Sequence, residues 1–165
     1  MKKKGVITAA ELMSQLNSDP EYQARKAKKD AEIKELEDLC AKDEAELVAD
    51  LNKLGLEVKS VWDLVNNSSH EYLNREFVGS YEVAYPLLVK HLKINHHQRI
   101  REGVIRSLSE KGAKEIAVQP LIEELRNETM QSNKWVIANA LNVILSKSEL
   151  GNYPEVKSAY DAGYL

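Results

Sequence analysis

The sequence predicts an all-α protein whose larger part is a short α-solenoid of helix pairs. Two stretches of the chain have the pattern of one helical hairpin written twice. Pro-Leu-aliphatic triplets begin at residues 86 and 120, 34 residues apart, and small-Leu pairs at residues 107 and 140 are 33 apart. Stacked helix pairs repeat with a period of this size. Glycine (7) and proline (4) are too scarce in 165 residues to supply the turns of an all-β fold.

Length and composition favour one soluble domain in a reducing compartment. Hydrophobic residues make up 43% of the chain and charged residues 30%, and a net charge of −3 neither favours nor excludes a polyanionic partner. Cys40 is the only cysteine, so a disulfide framework and a thiolate metal site are excluded. The apolar run behind the N-terminal lysines is too short for a signal peptide, and no stretch approaches the roughly 20 apolar residues of a membrane span. We therefore expect a cytoplasmic protein without membrane contact.

Residues 1–55 form the first predicted region, an N-terminal helical arm. Thr8 and Glu11 have the spacing of a capping box, which predicts a short helix that ends near residue 17. Asp19 followed by Pro20 is a second start signal, and no helix breaker follows before Gly55. The pattern predicts one long helix of about 35 residues. Its apolar stripe consists of Ile33, Leu36, Cys40, Leu47, Leu51 and Leu54.

Charge along this long helix is segregated. Residues 21–29 are mostly basic and residues 30–50 mostly acidic, an order that opposes the helix macrodipole. Asp43 and Glu44 interrupt the apolar stripe, so the helix is expected to bury only one narrow face. One interpretation is a solvated helix outside the core; the other is an arm that presents an acidic face to a basic partner.

Residues 56–165 form the second predicted region, the helical repeat domain. Ser60 caps a short helix from which Trp62 and Val65 are expected to anchor the arm. Four helices over about residues 81–93, 96–110, 113–127 and 132–146 make the two repeats, and a last helix begins at Pro154. Small residues that permit close helix approach are Gly103, Ser107, Ala138 and Ala140. The fourth helix carries a wide apolar stripe of Val136, Ile137, Ala140, Leu141 and Ile144.

The wording of the second helix in each pair, Arg-Glu-Gly-Val-Ile-Arg-Ser-Leu at 101–108 and Lys-Trp-Val-Ile-Ala-Asn-Ala-Leu at 134–141, resembles bacterial HEAT-repeat proteins. The resemblance covers about residues 56–150. It extends to a group of small bacterial proteins in which an acidic long helix and a Ser-Val-Trp-Asp-Leu-Val-Asn segment precede the repeats. It implies a HEAT-like α-solenoid that serves as a binding scaffold, and it brings no established chemistry with it.

The candidate partner-binding residues are concentrated around the first repeat's turn and second helix, because basic side chains accumulate there. They are Lys90, His97, Arg99, Arg101 and Arg106, joined by Trp135 and Asn139 of the fourth helix. Three interpretations remain open: a solvated surface with an internal Glu102–Arg106 pair, a site for an acidic protein, and a site for nucleic-acid phosphates. Trp135 fits core packing better than a binding groove, because it lies within an apolar stripe.

The sequence shows no catalytic signature and no cofactor motif. His91, His96 and His97 have no carboxylate or cysteine at metal-ligand spacing. Cys40 is expected to be a small core residue whose thiol pKa the neighbouring acids raise. A Ser-Ser-His run at residues 68–70 lacks an orienting acid, and a glycine-rich phosphate loop is missing. We therefore expect no enzyme, no metal and no cofactor.

The function that fits these observations is a non-enzymatic protein–protein interaction scaffold, with an immunity- or inhibitor-type protein as one concrete form. The alternative is a nucleic-acid-binding HEAT-like module that contacts phosphates through the Arg99–Arg106 patch. A third interpretation is a homo-oligomer, in which the acidic arm of one copy meets the basic patch of the next.

Overall fold

The computed structural model describes residues 7–67 and 77–163, and every regular element within them is a helix. The predicted all-α class is confirmed. The helices are α1 (Ala9–Ser18), α2 (Pro20–Asp43), α3 (Ala45–Lys53), α4 (Trp62–Val65), α5 (Tyr85–Leu92), α6 (Gln98–Ser107), α7 (Lys114–Asn127), α8 (Gln131–Ile144), α9 (Lys147–Leu150) and α10 (Pro154–Asp161). Short 3₁₀ turns at Glu82–Ala84 and Lys111–Ala113 lead into α5 and α7. Within the described ranges, none of the helices is long and apolar enough to cross a membrane.

The chain divides into two compact units, Met1–Leu39 and Cys40–Leu165. The first contains α1 and most of α2. Both start signals predicted there are confirmed: Thr8 and Glu11 form a reciprocal capping box, and the Asp19 carboxylate accepts hydrogen bonds from the backbone N–H groups of Glu21 and Tyr22. No residue of α1 is buried. Among the described residues, all buried hydrophobic side chains belong to the second unit.

The single helix predicted up to Gly55 is instead two helices, α2 and α3, that meet at Glu44. Glu44 is buried, and its Oε2 accepts hydrogen bonds from the hydroxyl of Ser60 and the backbone N–H of Val61. These contacts hold the interruption in place. The predicted end is confirmed, because Gly55 has φ +85° and the N–H of Leu56 bonds to the carbonyl of Leu51 in a Schellman motif.

The apolar stripe predicted for the long helix is buried only in part. Cys40, Leu47 and Leu51 are buried, but Ile33 is 43% exposed and Leu54 is 41% exposed. The expectation was wrong for the two ends of the stripe. Ile33 lies in the first unit, where the described residues form no buried core, and Leu54 lies in the last turn before the Schellman motif.

In the second unit the helices pack in two layers. Helices α3, α5 and α7 pack in succession along one layer, and α4, α6 and α8 do so along the other. Within each hairpin α5 packs on α6 and α7 packs on α8, and α10 covers α8. The predicted stripe of α8 is buried throughout, since Val136, Ile137, Ala140, Leu141 and Ile144 all belong to the core. Helix α9, which Ser146 and Glu149 begin with a capping box, was not predicted.

Gly103 explains how α4 approaches α6 so closely. A Cβ atom at this position would lie 2.6 Å from Cγ1 of Val61 and 3.1 Å from Nε1 of Trp62. Ser107, one turn later, bonds to the carbonyl of Gly103 and to that of Val61. The predicted role of a small residue in helix approach is confirmed here, and only hydrogen fits at this point of the interface.

We expect Gly103→Ala to lower the free energy of unfolding by about 1–2 kcal/mol, because overpacking costs about 1–3 kcal/mol and alanine regains about 1 kcal/mol of helix propensity. Chemical denaturation measures the change. Gly112→Ala is the matched control, since a Cβ there meets nothing closer than 3.4 Å. Adding Val61→Ala should recover part of the loss; strictly additive effects would contradict the clash.

Candidate functional site

A groove between α4, α6 and α8 brings two of the predicted partner-binding residues together. Arg106 near the end of α6 and Asn139 in α8 both line it, although they are far apart in sequence. Its volume is about 190 Å³, and its other lining residues are Val65, Tyr81, Ser109, Glu110, Val136 and Ala140. Nε of Arg106 lies 2.7 Å from Oε1 of Glu102, so the predicted pair one helical turn apart is confirmed. The groove thus combines apolar side chains with a guanidinium of fixed position.

Arg99 lies at the start of α6 and is exposed. Within the described residues its hydrogen bonds are made by its backbone, whose N–H donates to Nδ1 of His97 and whose carbonyl accepts from Nε1 of Trp62. The main chain is therefore fixed while the guanidinium points to solvent. This residue can provide positive charge to a bound partner.

Lys90 and Arg101 do not join the groove of Arg106. Lys90 is exposed on α5, in the other layer of helices. The Arg101 guanidinium bonds to the carbonyl of Leu92 and lies 2.8 Å from Glu124 and 3.5 Å from Glu128. Arg101 thus ties α6 to α7 and to the turn before α8, and its charge is largely used inside the protein.

Trp135 packs against the C-terminal helix. Its ring is stacked on Tyr160 of α10, with centroids 6.1 Å apart and an interplanar angle of 14°. The ring is half-buried. This placement agrees with the packing role that the apolar stripe favoured.

Asp43, His96 and His91 form a hydrogen-bonded chain that sequence reasoning missed. Oδ2 of Asp43 lies 3.0 Å from Nδ1 of His96, and Nε2 of His96 lies 2.9 Å from Nδ1 of His91. The two imidazole rings are nearly parallel, 14° apart, with centroids 5.2 Å apart. His91 is 2% exposed, and its Nε2 is a buried nitrogen without a hydrogen-bond partner among the described residues. The chain joins the last residue of α2 to α5 and to the turn between α5 and α6.

His97, another predicted partner-binding residue, belongs to the same cluster. Its backbone N–H donates to Oδ2 of Asp43 at 3.0 Å. Its Nδ1 accepts from the N–H of Arg99 and lies 3.6 Å from Sγ of Cys40. The imidazole is half-buried and fixes the start of α6, where His97 is the N-cap residue.

The electrostatics of this region follow from burial. Burial lowers the pKa of His91, with His96 and Lys90 acting in the same direction and Glu46 and Asp50 opposing them. Burial also raises the pKa of the Cys40 thiol; Arg99 lowers it, and Glu44 and Asp43 raise it. The predicted direction for Cys40 is confirmed, although burial outweighs the acids as its cause. The thiol is 6% exposed and protonated at neutral pH, which is the state of a core residue rather than a nucleophile.

The sequence expectation that no carboxylate or cysteine accompanies the histidines needs correction. Asp43 and Cys40 stand more than 50 positions before their histidine partners, so spacing along the chain could not reveal them. One signal was available: Asp43 and Glu44 interrupt an apolar stripe, and polar groups that point into a core require hydrogen-bond partners. Even so, the described residues contain no group of three or more His, Cys, Asp or Glu side chains arranged to hold a metal ion.

Comparisons with known proteins leave the geometry above as the basis for any assignment. No protein-family model matches the chain, and neither the curated proteins nor the solved structures give a significant match.

Proposed function

We propose that the chain is a non-enzymatic protein-binding scaffold with a HEAT-like α-solenoid in its second unit, acting in the bacterial cytoplasm. The packing of α5 on α7 and of α6 on α8 supports the solenoid, because stacked hairpins place first helices against first helices and second helices against second helices. Helices α3 and α4 extend the two layers by an incomplete pair, which answers the need for about three stacked units.

The groove of Arg106 and Asn139 carries the functional proposal. These residues come from successive second helices, 33 positions apart, which is the repeat period. A surface that uses equivalent positions of successive repeats is how solenoids hold an extended segment of a partner. The partner that fits is a protein segment with an apolar side chain for Val65, Tyr81 and Val136 and a carboxylate for the guanidinium of Arg106 or Arg99.

Nucleic acid fits the same surface less well. Arg101 and Arg106 are already paired with glutamates, and Glu110 lies in the groove. A phosphate backbone requires several cations that are free to release counterions. An immunity- or inhibitor-type protein, which covers a toxin or enzyme with such a surface, is one form that the scaffold takes in this proposal.

The test is capture of a partner from lysate of the organism of origin, with and without nuclease, followed by titration of the identified partner against purified variants. Arg99→Glu reverses the exposed charge, and Asn139→Trp fills the groove. We expect either change to weaken binding at least tenfold, whereas Lys157→Glu, an equal charge change on exposed α10, leaves binding unchanged. Binding that is lost with nuclease, or that survives both groove variants, would overturn the proposal. Light scattering of the protein alone identifies self-association.

A further inference from the structure

We propose that Asp43, His96 and His91 form a proton-sensitive latch, in which proton uptake at His91 releases the end of α2 from the turn between α5 and α6. The proposal is independent of the groove and of any partner. It starts from the positions of the hydrogen atoms in the three-residue chain.

At neutral pH the chain has one arrangement in which each short contact is a hydrogen bond. Ionised Asp43 accepts from Nδ1–H of His96, which leaves Nε2 of His96 as an acceptor for Nδ1–H of His91. Nε2 of His91 then keeps a lone pair, and no donor among the described residues faces it. This nitrogen is therefore the one basic position in the chain that can take up a further proton.

Every protonated form of the chain is worse bonded than the neutral one. A proton on His91 creates a buried N–H without an acceptor. If the charge passes to His96, the imidazolium gains Asp43 as a counter-charge, but His91 still keeps the unpaired N–H on Nε2. Two protons would place two cationic rings in a stack with centroids 5.2 Å apart.

The surrounding charges determine where a protonated His91 would turn. Lys90 and His96 disfavour its charged form, while Glu46 and Asp50 of α3 attract it. On the other side of His96, the groove lined by the turn holds Lys93, Arg101, Glu124 and Glu128, two charges of each sign. A cationic ring is therefore drawn toward the carboxylates of α3 and away from His96, which breaks the contact with Asp43.

The sign of the pH dependence follows from the lowered pKa of His91. The unfolded or detached histidine, with an ordinary value of 6.5, binds a proton before the buried one does. The latch is therefore fully formed above pH 6.5 and weakens as the pH falls below it. Asp43 is lost as an anchor at the same time, so the last turn of α2 becomes accessible.

Cys40 reports this event directly, because it lies in that last turn, is 6% exposed and is the only cysteine. Its rate of reaction with 4,4′-dithiodipyridine is measured from pH 7.5 to 5.5 and divided by the rate of the urea-unfolded chain at the same pH, which removes the thiolate fraction. We expect protection to fall at least tenfold in the wild type. In His91→Phe, whose ring does not titrate, protection should stay constant; His70→Gln controls for loss of a histidine elsewhere.

Constant protection in the wild type, or an unchanged pH response in His91→Phe, would overturn the proposal. Since His91→Phe removes a hydrogen bond and could fail to fold, a second measurement uses the wild type alone. Histidine Cε1–H resonances are followed by NMR over the same pH range. The latch requires His91 and His96 to change with the midpoint seen for Cys40 protection, and different midpoints reject it.

Discussion

Leu64→Ala is expected to lower the free energy of unfolding by about 3 kcal/mol, as truncation of a fully buried leucine leaves a cavity. Leu64 is the only buried residue of the four-residue helix α4 and is 0% exposed. Because α4 packs on α6, the cavity would open between these two helices. Thermal unfolding should shift down by roughly 6–12 °C.

Leu54→Ala is the matched control for this experiment, since Leu54 is 41% exposed and the same atoms are removed. Its expected cost is below about 1 kcal/mol. Equal losses in the two variants would mean that α4 is not a packed part of the second unit.

Glu44→Leu is expected to cost about 2–3 kcal/mol, because the buried N–H of Val61 and the hydroxyl of Ser60 lose their acceptor. Glu44→Gln retains one side-chain oxygen for both donors, so its cost should stay below about 1 kcal/mol. Chemical denaturation of the two variants separates the hydrogen bonds from the charge. A glutamine variant as unstable as the leucine variant would contradict this account.

The same pair of proteins gives a pH test for Glu44. Burial raises its pKa above the ordinary 4.5, against the hydrogen bonds from Val61 and Ser60. A carboxyl of this kind contributes stability that is fully present below pH 4.5 and is lost as the pH rises through the folded-state value. The wild type should therefore gain stability relative to Glu44→Gln as the pH is lowered toward 4.5, with the His91 contribution cancelling in the difference.

Helix starts and the repeat pattern could be predicted because their causes are local. Thr8, Asp19 and Gly55 each act on backbone groups within six residues, and the sequence contains both partners of every such bond. The core face of α8 was predictable for the same reason, since the 3.6-residue period is a property of one segment. These features gave the all-α class and the bounds of α5 to α8 to within a few residues.

The break at Glu44 and the histidine cluster could not be predicted because their causes are distant. Glu44 alone would continue a helix, and only the N–H of Val61, 17 positions later, makes its burial favourable. His96 likewise meets a carboxylate 53 positions earlier. For the candidate groove, the sequence identified Arg106 and Asn139 but could not tell that Arg101 would meet Glu124, because pairing depends on which helices become neighbours.

The two tryptophans stand at different places in the layers of the second unit. Nε1 of Trp62 bonds to the carbonyl of Arg99 at the start of α6, while Trp135 is stacked on Tyr160 of the final helix. Each ring is thus a natural fluorophore for one end of the helix stack. Emission from single-tryptophan proteins would show whether the two ends lose structure in one cooperative transition or in separate steps along the stack.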